Sequence, residues 1–413
     1  MKQIECMNSD LGLSGTLRDM RQLLVRTDSH FLHIERAVSP EPDVRSYCQA
    51  ASELAETSIL FDNIIGYKGK RLVVNLLASW KNCAVMAGLP SDTAVRVLIE
   101  KLCRRADRDG YMPEWIETEK ACSYECLENG SDLNLYETLP LFRVNEHDGG
   151  FYLHKACVVS GDIDAIGRHD RMKVGMYSLQ VQGRDRLGIH LSESDDLSIH
   201  LGIAESANRR LPVAACLGVP PLVSVIASAP LGYEKPEYSL VSPLYGRPLE
   251  LTRCTSSKLA VPAYSEYVLE GHIEPGVRRP EGPLICAGGS VTKIQGQPQI
   301  TVTAIAHRNN PILDNTYLGK SWTEHDCLVG IASALRVHSQ AKCTLSEIAR
   351  SGSRAEGIHL RFDFCGTRRD AEQRSAMFSS NGVPSECHLN TYKGEIEELR
   401  RRHVQCQISP NQG

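Results

Sequence analysis

Apolar positions in the first third of the chain switch between the spacing of helices and that of strands. Helical spacing occurs at 17–25, 42–55 and 92–105, and short apolar runs occur at 31–34, 58–65 and 71–77. Thr16 stands where it can cap the first helix, and Gly66 and Gly69 separate the last two strands. This alternation predicts an N-terminal α/β domain over residues 1–130.

The pattern changes after residue 130, where short apolar runs follow one another with turn residues between them. Strands are predicted at 151–159, 175–181, 211–217, 222–227, 249–254 and 300–305, and a helix at 197–208. Such a series is typical of an all-β unit, a small barrel or a sandwich, here placed at 131–310. Beyond it, residues 351–388 show little periodicity, and 393–404 predict a polar helix.

Composition restricts the class of protein more than it defines the function. The chain has 413 residues, a formal charge of −4 and a pI of about 6.4, which argues against a nucleic-acid partner. It begins without the apolar core of a signal peptide and contains no apolar run of membrane-spanning length, so a cytoplasmic protein is expected. The 15 cysteines include no C-x-x-C pair and predict reduced, mostly buried thiols.

Two glutamates and two histidines are the candidates for chemistry. Glu237 lies in KPEYSL, after an apolar run predicted to be a strand, and Glu281 lies in RRPEGP, where proline and glycine restrict the backbone. A carboxylate on a rigid segment beside a barrel is a candidate general acid or base, and the alternative is a solvated surface glutamate. His190 and His200 flank an acidic stretch, which suggests either a metal cluster or, more simply, a surface loop.

Several segments of the chain resemble a known family in sequence and in order. They include VGMYSLQVQGRDRLGIH at 174–190 and HRNNPILDNTYLGKSWTEHDCLVG at 307–330, with further matches at 74–90, 132–162 and 261–283. They resemble the UbiD decarboxylases, most of all the catalytic chain of the non-oxidative 4-hydroxybenzoate and vanillate decarboxylases. The resemblance implies an α/β domain interrupted by a split β-barrel of the flavin reductase type, with 311–413 returning to the α/β domain and ending in an atypical tail.

The same resemblance implies a cofactor and partners. It implies prenylated FMN, an electron sink for the loss of CO2 from an aromatic or unsaturated acid, with its phosphate bound by Mn²⁺ or Mg²⁺ and K⁺. A flavin prenyltransferase would supply the cofactor, and the protein would form a homo-oligomer. The family's flavin motif, Asn-x-Gly-(Ile/Met)-Tyr-Arg, falls on Lys173 to Ser178, where Gly175, Met176 and Tyr177 match. Lys173 replaces the metal-binding Asn, and Ser178 replaces the catalytic Arg.

The remaining site positions are a mixture of matches and replacements. Glu237 matches a metal ligand, and a metal-binding His of the family falls on Asp195. Glu281 matches one of the two catalytic acids, whereas the second, usually assigned as the proton donor, is Cys286. One hypothesis for Lys173 is that its ammonium takes the place of the metal, bridging the FMN phosphate and Glu237.

Three functions are compatible with this pattern. The retained Glu237 and Glu281 favour an active carboxy-lyase, while the replacements at 173, 178 and 286 favour a non-catalytic homologue that keeps the fold. The third hypothesis is a flavin protein with altered chemistry at Cys286.

Overall fold

The computed structural model describes residues 15–27, 31–53, 57–228, 231–233, 235–287, 289–319 and 323–350. The helices are α1 Leu17–Arg26, α2 Arg45–Glu53, α3 Trp80–Met86, α4 Val95–Ala106, α5 Leu135–Thr138, α6 Asp196–Ser206, α7 Pro221–Ala227, α8 Tyr238–Tyr245 and α9 Glu324–Arg350. A π-helical turn, Pro40–Val44, precedes α2, and short 3₁₀ turns lie at Thr118–Lys120, Cys122–Tyr124, Gly130–Asp132 and His169–Arg171.

The strands are β1 Phe31–Ile34, β2 Ser58–Phe61, β3 Arg71–Val74, β4 Glu114–Trp115, β5 Cys126–Asn129, β6 Phe151–Gly161, β7 Met172–Val181, β8 Arg186–Ile189, β9 Leu211–Leu217, β10 Glu250–Arg253, β11 Ala260–Pro262, β12 Tyr267–Glu281, β13 Gln295–His307 and β14 Ile312–Asn315. The alternating elements predicted for the N-terminal part are confirmed, with boundaries that shift by a few residues.

A small mixed sheet combines strands from both ends of the described chain. Its order is β1-β2-β3-β14, with β1 parallel to β2 and β14 parallel to β3. Residue 71 pairs with residue 312, so the sheet is completed by a segment that follows all the other strands in sequence. The helix α1 is capped by Thr16, whose side chain accepts a hydrogen bond from the Asp19 backbone N–H, as predicted.

The large sheet carries the functional site. Its strand order is β12-β9-β6-β7-β8-β13-β5, and β13 pairs in addition with β12. Strand β6 is buried along almost its whole length, because the core covers both of its faces. A third sheet, β11-β10-β4, is small. The mixed sheets agree with the predicted combination of α/β and β structure, but the region 131–310 is not all-β: besides the predicted helix it contains α5, α7 and α8.

One predicted strand is wrong. The apolar run 222–227 is the helix α7, which begins at Pro221 and is buried on every side. A continuous apolar run has no periodicity, so strand and buried helix look alike, and proline at the first helical position was the missed signal. The long helix α9 and the strand β12 were not predicted, and the helix predicted at 393–404 lies outside the described residues.

The prediction of unpaired and mostly buried thiols agrees with the cysteines whose state is described. Cys48, Cys83, Cys103, Cys157, Cys216 and Cys254 are free and buried, and Cys122, Cys126 and Cys286 are free and partly exposed. No helix within the described ranges has both the length and the apolar character needed to cross a membrane.

Candidate active site

A cavity of about 250 Å³ opens beside the middle of β7, close to the lower limit of about 300 Å³ for small-molecule sites. Strand β6, the start of α9 and the segments that follow β8, α7, β12 and β14 supply the rest of its wall. The lining residues are His154, Met176, Tyr177, Ser178, His190, Ser228, Leu284, Cys286, Ala287, Leu318 and His325. The wall thus combines four apolar side chains with three histidines, two serines, a tyrosine and a cysteine.

The predicted flavin motif on β7 lies in this wall. Met176 and Tyr177 line the cavity directly. Gly175 lies behind the Tyr177 ring, and a Cβ at position 175 would come within 2.6 Å of that ring. Glycine is therefore required for the tyrosine to fold back along its own strand. Burial raises the pKa of Tyr177, so its hydroxyl stays protonated.

Glu281 is the most constrained carboxylate at the cavity. It ends β12 and is 1% exposed, so the sequence-based alternative of a surface glutamate is wrong. The Tyr152 hydroxyl donates to its Oε1 over 2.6 Å, and His190 Nδ1 lies 2.8 Å from its Oε2. Glu281 raises the pKa of His190. Because His190 lines the cavity and Glu281 lies behind it, the histidine is the cavity-facing member of the pair.

Glu237 is also buried, 2% exposed, and here too the surface alternative is wrong. It precedes α8, and its Oε2 accepts a hydrogen bond of 2.9 Å from the Val174 backbone N–H on β7. Burial raises the pKa of Glu237, and Lys173 opposes the shift. Glu237 contacts β7 directly, at the backbone of residue 174. Glu281 is connected to β7 indirectly, through His190, whose backbone N–H donates to the Ser178 carbonyl. The cavity-lining residues 176–178 lie between these two points.

Lys173 occupies an all-oxygen pocket beside Glu237. Its ammonium is 2.8 Å from Glu237 Oε1 and 3.0 Å from Asp196 Oδ2. It also donates to the backbone carbonyls of Gly232 at 2.9 Å and Lys235 at 2.7 Å. Four oxygens therefore surround one buried cation. The sequence did not identify Asp196 as the partner of Lys173, because the two residues are separated in the chain and adjacent only in the fold.

These residues do not fit the divalent metal that the family resemblance implies. Mn²⁺ and Mg²⁺ take oxygen ligands, but here the ammonium already satisfies the oxygens and would repel a second cation. Asp195 bonds to the Ser192 backbone N–H instead of reaching Lys173. No group of three or more His, Cys, Asp or Glu suited to a metal occurs in the described ranges.

The expected metal cluster or surface loop at His190 and His200 is replaced by two separate environments. His200 lies on α6, is buried, and its Nδ1 is 2.9 Å from Ser160 Oγ. Burial lowers the pKa of His200 to about 4. His200 is therefore a neutral core histidine, and only His190 belongs to the cavity.

Ser178 and Cys286 stand where the resemblance expects an arginine and an acid. Ser178 Oγ lies 3.0 Å from His154 Nδ1, so a neutral pair replaces the guanidinium fork. Cys286 lines the cavity and is half-buried; burial and, to a smaller extent, Glu281 raise the pKa of its thiol. A thiol with a raised pKa is a poor nucleophile and a weak acid, which argues against the hypothesis of chemistry at Cys286.

A buried charge cluster lies directly behind the cavity wall. Lys155, the neighbour of His154 on β6, bonds to Asp314 on β14 and to Glu324 on α9, at 2.8 Å and 2.6 Å. Burial raises the pKa of Asp314 to about 7, although Lys155 opposes the shift. Burial also works against a charged Lys155, but the two carboxylates raise its pKa and keep it protonated. The cluster joins the large sheet, the sheet that contains β14 and the helix α9.

A buried carboxylate with an imidazole beside an apolar cavity is the arrangement of an enzyme that moves protons, and comparison with known proteins identifies the class as carboxy-lyase. The profile of the 3-octaprenyl-4-hydroxybenzoate carboxy-lyase Rift-related domain matches residues 115–321, and that of the N-terminal domain matches 23–102. The chain belongs to the UbiD family and is a decarboxylase.

Two of the relatives are phenolic acid decarboxylases of bacteria. A phenolic acid decarboxylase of Bacillus subtilis is 38% identical over 329 residues, covering 79% of this chain and 69% of the relative. The phenolic acid decarboxylase of Sedimentibacter hydroxybenzoicus is 38% identical over 344 residues, covering 81% and 71%.

Two solved structures share the fold. The closed form of vanillic acid decarboxylase from S. hydroxybenzoicus aligns with a TM-score of 0.77 at 38% identity, covering 80% of this chain and 70% of that one. The UbiD-class enzyme HmfF from Pelotomaculum thermopropionicum, in complex with prenylated FMN, aligns with a TM-score of 0.69 at 29% identity, covering 77% and 71%. The fold is therefore UbiD-like.

Proposed function

We propose that the chain removes CO2 non-oxidatively from a phenolic or α,β-unsaturated acid with prenylated FMN. The observation that carries this is Glu281, a buried carboxylate held on both oxygens by Tyr152 and His190 at the cavity wall. Relatives named as phenolic acid decarboxylases support the substrate class. The relative in complex with prenylated FMN supports the cofactor.

The cofactor would lie against β7. Met176 and Tyr177 would contact its ring from the cavity wall, with Gly175 allowing the tyrosine to take that position. Glu237 would lie on the phosphate side and act through Lys173. When bound, prenylated FMN supplies the electron sink for the carbon that loses CO2.

The protein's own task is to hold and deliver a proton. His190 presents an imidazole to the cavity, and Glu281 stabilises its protonated form from behind. We assign the acid–base function to this pair: the proton passes from His190 to the carbon that CO2 has left, while Glu281 and Tyr152 keep the ring oriented. Leu284 and Leu318 supply apolar surface to the same cavity.

A pH dependence follows from this pair. The folded-state pKa of His190 lies above its ordinary value of about 6.5, so the protonated form persists above that pH and is lost as pH rises through the raised pKa. We expect kcat/KM to fall on the alkaline side, and Glu281→Gln to move this limb to lower pH. The ion pair of His190 and Glu281 also stabilises the fold. This contribution is complete below about pH 6.5 and is lost as the pH rises through the raised pKa of His190. An alkaline limb that does not move in the variant would contradict the assignment.

We propose that the ammonium of Lys173 replaces the divalent metal at the cofactor phosphate, bridging it to Glu237. Lys173→Asn leaves Glu237 and Asp196 without their cation, so the expected loss is on the order of 3 kcal/mol of unfolding free energy. The variant should regain stability and flavin binding with Mn²⁺, whereas the wild type should bind flavin equally with and without a chelator. Elemental analysis and flavin titration measure both.

The matched control is Lys235→Asn. Lys235 supplies its backbone carbonyl to the Lys173 pocket while its side chain donates to Ser339, and a side-chain replacement leaves that carbonyl in place. Its flavin binding should not gain a response to Mn²⁺. Stoichiometric manganese in the purified wild-type protein would end the proposal.

The proposal also covers the architecture and the partners of the protein. The return of β13 to β12 supports the interpretation of the large sheet as a split β-barrel. We propose domain limits of 1–130, 131–310 and 311–413, a homo-oligomer, and a flavin prenyltransferase as the source of the cofactor.

Co-expression with a flavin prenyltransferase tests the proposed function as a whole. The visible spectrum reports the bound cofactor, and CO2 release or deuterium exchange on hydroxybenzoates and cinnamates reports turnover. Flavin bound without turnover would favour the non-catalytic homologue, which Lys173, Ser178 and Cys286 also favour. Absence of both flavin and turnover would indicate a site that has lost its function.

A further inference from the structure

His154 carries a buried polar atom without a partner. The side chain lies on β6, is 4% exposed and stacks on Tyr152, with ring centroids 5.4 Å apart and planes 3° apart. Its Nδ1 is 3.0 Å from Ser178 Oγ, while Nε2 finds no hydrogen-bond partner among the described residues. Buried nitrogen atoms are nearly always hydrogen-bonded, so an orphan in a cavity wall points to a ligand that is absent from the structure.

The ring is held in place and is neutral. Its backbone N–H donates to Asn315 Oδ1, and the Tyr152 stack fixes the plane of the imidazole. Burial and, to a smaller extent, His325 lower the pKa of His154 to about 3. The imidazole therefore offers one N–H and one lone pair at neutral pH, and Ser178 takes one of these two.

A hydroxyl is the group that suits such an atom. A hydroxyl both donates and accepts, so it pairs with Nε2 in either tautomer. A carboxylate only accepts and would be repelled whenever Nε2 carries the lone pair. The cavity wall has no lysine or arginine among its described residues, which further disfavours an anionic group at this position.

We infer that His154 is a specificity residue whose Nε2 binds a ring hydroxyl of the acid substrate. Ser178 fixes the imidazole from the other side and acts as a positioning residue. The inference rests on the proposed decarboxylation of an aromatic acid and deepens it, because it selects hydroxylated rings over unsubstituted ones.

The test compares binding of benzoate with binding of 2-, 3- and 4-hydroxybenzoate to the flavin-loaded protein, followed by calorimetry or by the flavin absorbance. The wild type should bind the preferred hydroxybenzoate roughly tenfold more tightly than benzoate. His154→Phe, which keeps the aromatic stack and removes both nitrogens, should reduce this ratio to about one while leaving benzoate affinity within about twofold. An unchanged ratio, or an equal loss for both acids, would overturn the inference.

Further variants separate recognition from folding. His154→Gln restores a donor and an acceptor and should recover part of the preference, and His147→Phe, at an exposed histidine before β6, should keep the wild-type ratio. If His154→Phe does not fold, Ser178→Ala is measured in its place. It should lower the ratio about threefold because the ring loses its anchor, and an unchanged ratio would again overturn the inference.

The same measurements distinguish this inference from the proposed function. A hydroxyl preference without CO2 release would contradict the decarboxylase activity and support His154. CO2 release without a hydroxyl preference would contradict His154 alone. Failure of every acid to bind would contradict both.

Discussion

Replacement of Glu281 by glutamine is expected to slow decarboxylation by roughly two to four orders of magnitude, the usual contribution of a positioned general acid or base. Glutamine has the size of glutamate and can still accept from Tyr152, but it cannot stabilise a protonated His190. The proton needed by the product carbon is then held weakly. Single-turnover CO2 release and deuterium exchange should fall together, while the flavin spectrum stays close to that of the wild type.

Glu274→Gln is the matched control on the same strand. Glu274 is a solvent-exposed residue of β12 that pairs with Arg210, and such a surface ion pair contributes little because solvent screens it. Its turnover should equal that of the wild type. Turnover of Glu281→Gln within about threefold of the wild type would remove Glu281 from the acid–base function.

Replacement of Lys155 by methionine is expected to destabilise the fold by about 3–5 kcal/mol, because two buried carboxylates lose the cation between them. The loss should be smaller at acidic than at alkaline pH. Asp314 has a raised pKa in the folded state, so it takes up a proton readily as pH falls and its buried charge disappears. Denaturant unfolding at several pH values measures the effect.

Two further variants serve as comparisons for Lys155→Met. Lys120→Met removes an exposed lysine paired with Glu117, and it should cost less than about 1 kcal/mol. Adding Asp314→Asn to Lys155→Met removes one uncompensated charge and should recover part of the stability. A loss below about 1 kcal/mol for Lys155→Met itself would show that the cluster does not depend on its cation.

The sequence predicted some of the elements, because their surfaces are amphipathic or bounded by turn residues: helices α1, α2, α4 and α6 and strands β1, β2, β3, β6, β7, β9, β10 and β13. Helix α7 was missed because it is buried on all sides and has no polar face to reveal its period. Strand β12 was missed for the opposite reason: Gly271, Pro275 and Pro280 interrupt the apolar pattern of a strand that accommodates them at register shifts and near its end.

Residues of the site could be predicted only where they lie in a recognisable sequence motif. Glu237 and Glu281 were found as candidates, but their burial follows from packing between distant strands, which composition does not encode. Asp196 and His154 were missed because their importance depends on contacts that form only in the folded chain. Asp196 contacts Lys173, and His154 contacts Ser178. A lysine in place of a metal ligand was the one signal that a compensating acid should be sought nearby.

The late arrival of β14 has a consequence for how the chain folds during synthesis. Strand β3 pairs with β14 through residues 71 and 312, so its edge stays open until the ribosome has made the intervening segment. At roughly 5–20 residues per second this takes on the order of 12–50 s. For that interval the nascent protein presents an unpaired, apolar strand edge, a template for association between chains. Chaperone demand should therefore be concentrated in the time before residue 312 emerges.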